Sequence, residues 1–163
     1  LLLKAGAVID QTQQDGGSAL LIACQDGHLE CVRLLLEASA AIDQADEDGV
    51  TPLFMACQEG HVECAQVLRQ AGAAVNQAKQ DGATPLYIAC QHDHLECARL
   101  LLKAGAVIDQ TQQDGGSALL IACQHGHVEI AKLLRDAGAA VGQAMSDGTT
   151  PLYMACQNGY VEI

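Results

Sequence analysis

The sequence predicts an all-α repeat solenoid, an elongated stack of helix-turn-helix units joined by β-hairpin-like loops. The first reason is an Asp-Gly dipeptide that recurs every 33 residues, because fixed periods of roughly 20 to 50 residues are typical of solenoids. The second is composition: half of the residues are hydrophobic, yet the chain has no Trp, one Phe and three Tyr. Small apolar side chains suit thin stacked layers better than one thick core.

The Asp-Gly period divides the chain into units, each of which begins at the Asp. Four units are complete, residues 15–47, 48–80, 81–113 and 114–146, and partial units cover residues 1–14 and 147–163. We interpret residues 1–163 as a single array. A longer period of three units is superimposed, because residues 1–25 recur without change at 100–124. Such identity within one chain indicates recent duplication or deliberate assembly.

The unit 48–80 predicts where its first helix begins and ends. Asp48-Gly49 has the chemistry of a tight turn at a hairpin tip, because glycine adopts a positive φ without strain. The Thr51 hydroxyl can cap a helix N-terminus, and Pro52 suits the first helical position, where no backbone N–H is needed. We therefore predict a short first helix over residues 52–58.

A second helix follows in the same unit. Gly60 supplies a left-handed stop, and residues 61–70 place apolar side chains at helical spacing. Gly72 ends this helix, and the extended segment 73–80 leads to the next tip. A glutamate near the start of each second helix has a structural role, since a carboxylate there interacts favourably with the helix dipole. These glutamates are Glu30, Glu63, Glu96, Glu129 and Glu162.

Three motifs carry a family resemblance: TPLFMAC at 51–57, TPLYIAC at 84–90 and TPLYMAC at 150–156. Most units continue with glycine, His or Tyr, an apolar residue and Glu, and then with LL and AGA. Over essentially its whole length the chain resembles ankyrin repeats. The resemblance implies stacked helical hairpins whose tips and first helices form an extended concave face. It also implies that this face binds other proteins.

The chain departs from the ankyrin pattern at several positions. Two units replace Thr-Pro with Ser-Ala, beginning at Ser18 and Ser117, which keeps the cap but loses the proline. Asp93 and Ser39 stand at helix stops where other units have Gly, so we expect strain or rearrangement at those two corners. The family motif TPLH has a His whose place is taken here by Leu21, Phe54, Tyr87, Leu120 and Tyr153.

Three units carry the spacing Cys-x3-His-x2-Cys, and all of these residue types ligate zinc, so a row of metal sites is one interpretation. The alternative is that the cysteines are small buried apolar side chains. Ile130 and Ile163 replace the second cysteine in two units and cannot ligate a metal, which favours the alternative. We expect no metal and no other cofactor. Because the eight cysteines recur with core positions, we also expect reduced thiols.

Charge and composition limit the function classes. Twenty acidic and eight basic residues give a formal net charge of −12, which opposes attraction to nucleic acid and anionic membranes. A protein partner with a basic surface is therefore expected. No apolar run approaches the roughly 20 residues that span a bilayer, and no signal-peptide pattern is present, so we expect a soluble protein of the cytoplasm or nucleus. No catalytic arrangement stands outside the repeat, so we expect no enzyme activity.

The candidate partner-binding positions are those that vary between units while the repeat frame stays fixed. They form three classes: the pair before each Asp-Gly, the residue two after each Asp, and the residue at the end of each first helix. The candidates are Gln13, Gln14, Asp46, Glu47, Val50, Glu59, Lys79, Gln80, Ala83, His92, Gln112, Gln113, His125, Met145, Ser146 and Thr149. The resemblance places these classes at the tips and the concave face. The alternative explanation is that these exposed positions vary between units without any role in binding.

Two hypotheses about function remain open. In the first, the chain is a non-catalytic scaffold or adaptor module that binds a protein partner through the hairpin tips and the first helices. In the second, it is an architectural or self-assembling segment of a longer array. The ends favour the second, because neither LLLKAG nor Val161–Ile163 resembles the polar capping unit that keeps a solenoid soluble. Head-to-tail self-association through these ends is therefore also a hypothesis.

Overall fold

A computed structural model describes residues 1–2 and 5–163. This part of the chain contains nine α-helices and no β-strand beyond an isolated antiparallel bridge between Thr12 and Ser18. No helix in it combines the length and the apolar character needed to cross a membrane. The helices are α1 (Ala19–Gln25), α2 (Leu29–Glu37), α3 (Pro52–Gln58), α4 (Val62–Gln70), α5 (Pro85–Gln91), α6 (Leu95–Lys103), α7 (Ala118–His125), α8 (Val128–Asp136) and α9 (Pro151–Asn158).

The odd-numbered helices are the first helices of their units, and each begins at a side-chain cap. In α3 the Phe54 N–H donates to the Thr51 hydroxyl at 3.2 Å, and the helix spans Pro52–Gln58 as predicted. The units with Ser-Ala keep the same side-chain cap, since the Leu21 N–H donates to Ser18 Oγ at 3.2 Å. Loss of the proline therefore leaves the start of α1 in place, because the cap alone satisfies this backbone donor.

The even-numbered helices are the second helices, and each starts one residue after a histidine. In α4 the histidine, His61, precedes the helix and provides no side-chain cap, so the predicted start at residue 61 is one residue early. Gly60 reverses the chain between α3 and α4 with a φ of +75°. The His61 N–H then donates to the Ala56 carbonyl at 2.8 Å, which closes the corner after the first helix.

The core lies between the row of first helices and the row of second helices. Each first helix packs against the first helices of adjacent units, and α1, α3, α5 and α7 also pack against the second helix of their own unit, whereas successive second helices touch less extensively. Leu53 and Leu86 from the first row are fully buried together with Leu68 and Leu101 from the second. The fold is the predicted all-α repeat solenoid, with a core that runs along the stack.

The hairpin tips stack closely, and this spacing requires glycine. Gly49 has a φ of +85°, which an L side chain rarely adopts. A Cβ added to Gly49 would lie 3.1 Å from the Cα of Lys79 in the next tip. Positive φ and the close approach of the next backbone therefore both select glycine in the Asp-Gly dipeptide.

The two corners without glycine keep the left-handed conformation. Asp93 has a φ of +61° and Ser39 a φ of +66°, so both corners are strained rather than rearranged. Asp93 also lies near the next unit, because its Oδ1 is 3.6 Å from Nδ1 of His127. At the equivalent corner of the preceding unit, a Cβ on Gly60 would lie 2.6 Å from the His94 ring.

We predict that Asp93→Gly stabilises the protein by about 1 kcal/mol, because glycine removes the left-handed strain while the contact with His127 contributes little at the surface. The mirror variant Gly60→Asp is the matched control and should destabilise by about 2 kcal/mol through strain and overlap with His94. Urea unfolding of both variants measures the two effects. A lower unfolding free energy for Asp93→Gly would contradict this account of the corner.

Candidate partner-binding face

Each tip is a turn closed by two backbone hydrogen bonds. In the unit 81–113 the Lys79 N–H donates to the Ala83 carbonyl at 3.0 Å, and the Gly82 N–H donates to the Lys79 carbonyl at 2.9 Å. The Asp81 side chain completes the turn by accepting the Ala83 N–H at 2.9 Å. The residue two positions before each Asp is thus fixed by the turn, and its side chain is presented from a rigid backbone.

The tip of the unit 48–80 uses a different carboxylate. Asp46, not Asp48, accepts backbone N–H groups here, from Asp48 at 3.0 Å and from Val50 at 2.9 Å. The candidate residue Asp46 therefore supports its own turn. Asp48 is left exposed beside Glu47, so this tip presents two carboxylates at its surface.

Adjacent tips are joined into one continuous edge. The Gln80 N–H donates to the Asp48 carbonyl at 2.9 Å, and the Gln113 N–H donates to the Asp81 carbonyl at 2.9 Å. The same glutamines add side-chain bonds, because the Gln80 amide donates to the Glu47 carbonyl and the Gln113 amide donates to the Gln80 carbonyl. Gln80 and Gln113 are candidate residues, and their amides connect the tips to one another.

The structure arranges the candidates in two rows rather than in one patch. The tip pairs form the first row, in which Asp46, Lys79, Gln112 and Met145 are half-buried. The ends of the first helices form the second row, about 10 Å away along helices of seven or eight residues. Exposed tip candidates are Gln13, Gln14, Glu47, Gln80, Gln113 and Ser146, and the second row holds the exposed Glu59, His92 and His125.

The candidates that lie two residues after each Asp are not exposed at the surface. Val50 and Ala83 are buried, with exposed fractions of 8% and 1%, and Thr149 is half-buried. The prediction that this class is accessible is wrong for Val50 and Ala83, because both face the core between adjacent units. Variation between units at these positions reflects packing, which the sequence pattern alone does not separate from variation at a binding surface.

The aromatic residues at the family's His position are buried where a following unit covers them. Phe54 and Tyr87 are 1% and 7% exposed. Burial, reinforced by the carboxylates of Asp114 and Asp81, raises the pKa of Tyr87 to about 12. Tyr153 differs, since it is 57% exposed at the end of the array.

Charge is distributed unevenly between the second helices and the rest of the chain. The second helices α2, α4, α6 and α8 carry six acidic and six basic side chains, so they are balanced. Of the other charged side chains in the described residues, fourteen are acidic and Lys79 is basic. Lys79 itself pairs with Asp81 in its tip at 2.9 Å. The tips, the connecting loops and the corners after the first helices thus hold the negative excess of the described residues, and none of these acidic side chains lies within a first helix.

The histidine of the Cys-His-Cys spacing bonds to backbone. His61 Nε2–H donates to the Gln25 carbonyl at 3.0 Å and His94 Nε2–H to the Gln58 carbonyl at 2.9 Å, in each case in the preceding unit. The exposed His92 stacks on His94 with ring centroids 6.1 Å apart. In the described residues no three His, Cys, Asp or Glu side chains are grouped as metal ligands. His61 and His94 therefore join neighbouring units, whereas His28 is exposed and lies 3.9 Å from a carboxylate oxygen of Asp26 in its own unit.

The cysteines occupy apolar positions inside the stack. Cys64 and Cys97 are buried like Ile130, which takes their place in a later unit, so the prediction of an apolar position is confirmed for them. Cys31 and Cys156 are exposed, because each faces a side of the stack that no described unit covers. Burial raises the pKa of Cys24 to about 12 and that of Cys123 to about 11, which leaves little thiolate at neutral pH.

The family model for ankyrin repeats in three copies matches residues 1–79, 40–112, 70–145 and 104–163. Together these matches cover the whole chain, and the chain belongs to the ankyrin-repeat family. A search of curated proteins found no match. Ankyrin repeats are generally protein–protein interaction modules.

We predict that a maleimide reagent labels Cys31 and Cys156 first in dilute native solution at neutral pH. The other six thiols should react only as the protein unfolds, because all six are buried and the reagent cannot reach them in the folded stack. Peptide mass spectrometry after short labelling in buffer and in urea identifies the sites. Rapid native labelling of Cys24 or Cys123 would show that the packed layers open easily.

Proposed function

We propose that this chain is a non-catalytic interaction module that binds a protein partner with a basic surface along its tips and first helices. The observation that supports this most strongly is the charge distribution, with balanced second helices and an acidic excess in the tips, loops and corners. Complementary potentials steer association and disfavour partners of like charge. The proposal therefore concerns one side of the stack and excludes the outer second helices.

The rigid edge also favours binding at the tips. Backbone bonds fix each turn and join it to the next, so a partner meets side chains whose positions are already set. Binding to a preorganised surface avoids part of the entropy that ordering a flexible loop would cost. Exposed acidic groups available along this side include Glu47, Asp48 and Glu59.

We predict that Glu47→Lys with Glu59→Lys lowers capture of basic partners by about tenfold or more, because two attractive charges become repulsive. Asp46 and Lys79 are less suitable test positions, since Asp46 supports its turn and Lys79 pairs with Asp81. The measurement is quantitative mass spectrometry of proteins retained from native lysate by the immobilised chain, at low and at high salt.

The matched control is Glu37→Lys with Asp136→Lys, which makes the same change in net charge on the second helices α2 and α8. Lysine is favourable in the last turn of a helix, so the control should fold normally. Proteins that the control retains and the Glu47 and Glu59 variant loses are the face-specific partners. Equal loss of the same proteins from both variants would argue against a binding face on this side.

A second candidate function is an architectural or self-assembling segment of a longer array. The observation in its favour is the exact recurrence of residues 1–25 at 100–124, because nearly identical units can stack on one another in a longer array.

A further inference from the structure

Two kinds of side-chain pair recur at the junctions between units. The first is matched in size: as the residue after Thr-Pro-Leu or Ser-Ala-Leu grows, the residue two after Asp in the next unit shrinks. A Cβ built on Gly116 would already lie 3.8 Å from Cε2 of Tyr87, so added volume at this contact is costly. The pairs are Leu21 with Val50, Phe54 with Ala83, Tyr87 with Gly116, and Leu120 with Thr149.

The second kind of pair contains sulfur. It relates a cysteine near the end of each first helix to the residue 40 positions later, near the start of the second helix of the next unit. The pairs are Cys24 with Cys64, Cys57 with Cys97, Cys90 with Ile130, and Cys123 with Ile163. Ile130 is fully buried, so packing alone does not require a cysteine at the second position. Two junctions nevertheless have sulfur at both positions.

The thiols of Cys57 and Cys97 meet inside the core. Cys57 lies in the last turn of α3, Cys97 is the third residue of α6, and a hydrogen bond joins their side chains. Both residues are 0% exposed. Two thiols that share a hydrogen bond have adjacent sulfur atoms, which is the first requirement for a disulfide. The two helices belong to different units, so a bond between these sulfurs would cross the junction.

The hydrogen bond makes the two thiols chemically unequal. It lowers the pKa of Cys97 and raises the pKa of Cys57 well above its usual range, because the Cys57 S–H donates to the Cys97 thiolate. The start of α6, a helix of nine residues, also favours a thiolate at Cys97. Burial and the carboxylates of Glu63 and Glu96 oppose this effect. Cys97 is therefore the thiol of the pair that ionises first.

The remaining buried thiols lack this assistance. Burial raises the pKa of Cys24, Cys64, Cys90 and Cys123. Among the buried thiols of the described residues, Cys97 alone has a lowered pKa. Since the thiolate is the reactive form of cysteine, the junction between α3 and α6 differs in reactivity from the other junctions of the stack.

We propose that Cys57 and Cys97 are a redox modification site, at which hydrogen peroxide forms a reversible disulfide between the units 48–80 and 81–113. The Cys97 thiolate attacks a peroxide oxygen, the O–O bond breaks, and a sulfenic acid and hydroxide result. The Cys57 sulfur then attacks the sulfenic sulfur, so that an S–S bond forms while the S–O bond breaks and water leaves. Two thiols and one peroxide thus give one disulfide and two water molecules.

The size of the oxidant allows it to reach a buried pair. Hydrogen peroxide is a neutral molecule little larger than water, whereas a maleimide needs a far wider opening. In a repeat stack each unit contacts only its neighbours, so one junction opens locally at a lower cost than global unfolding. Thiols that resist maleimide in the folded chain are therefore still accessible to peroxide, and a thiol reductant reverses the bond by exchange.

The disulfide would tie α3 to α6 and close a 40-residue loop. Such a cross-link restricts the unfolded chain and prevents local opening of the junction that it spans. The oxidised stack should therefore be more stable than the reduced one. This proposal goes beyond partner binding and does not rest on it, because the acidic side chains of the proposed binding face take no part in the reaction.

The test uses a parent chain in which both exposed cysteines are replaced, Cys31→Ser with Cys156→Ser, so that oxidation between molecules does not interfere. The native parent is treated with hydrogen peroxide at neutral pH, and catalase then removes the oxidant. Remaining thiols are blocked in urea before digestion without reductant. Combined cleavage after Glu, Lys and Arg separates every cysteine from the others, so mass spectrometry identifies the linked residues.

We expect one peptide pair, joined by Cys57 and Cys97, and a melting temperature that rises by about 5 °C or more and returns on reduction. Cys97→Ile in the parent should show neither effect, and Ile130 indicates that isoleucine fits this position. The matched control is Cys64→Ile, the same substitution at the preceding junction, which should keep both effects.

Three results would overturn the proposal. The first is a parent chain whose Cys57 and Cys97 stay reduced until the protein unfolds. The second is sulfinic acid at Cys97 in place of the disulfide, and the third is an equal rise in melting temperature for Cys97→Ile. Mapping of the parent chain needs neither isoleucine variant to fold, so it decides the first two outcomes by itself.

Discussion

Packing between neighbouring units is the interaction on which this molecule depends. No single unit encloses its own apolar surface, so the first helices bury it against each other along the stack. The close spacing of the tips follows from this packing, and it leaves room at the Asp-Gly turn for glycine alone. The backbone bond from Gln80 N–H to the Asp48 carbonyl and the histidine bond from His61 to the Gln25 carbonyl then repeat at the same step.

The same constraint divides the variation between units into two kinds. At buried junctions, the pair Tyr87 with Gly116 and the pair Phe54 with Ala83 vary in order to keep the interface filled. At exposed positions such as Glu47 and Glu59, nothing in the packing selects the residue. The negative excess belongs to this second, exposed side, which is why the proposed partner is basic and why its binding should depend on salt.

Local signals were sufficient to predict the period, the capped helix starts and the glycine stops, because each depends on a few adjacent residues. The sequence predicts burial and side-chain roles incorrectly where they depend on residues of another unit or on the local turn geometry. Val50 and Ala83 vary like surface residues but face the previous unit. Asp46 is a candidate for partner binding, although its carboxylate accepts backbone hydrogen bonds within its own turn. The exposure of Cys31 and Cys156 also depends on which unit lies beside them. The charge imbalance could have been found from the sequence by counting the second helices separately.

Side chains of neighbouring units are matched in size across their junctions, and a double-mutant cycle at Tyr87 and Gly116 tests this match most directly. Gly116→Val alone should destabilise the protein by about 2 kcal/mol through overpacking, and Tyr87→Leu alone by a similar amount through the cavity it leaves. Together the two substitutions recreate the pair found at Leu21 and Val50, so the double variant should recover at least about 1 kcal/mol relative to additivity. Strictly additive unfolding free energies would contradict the account.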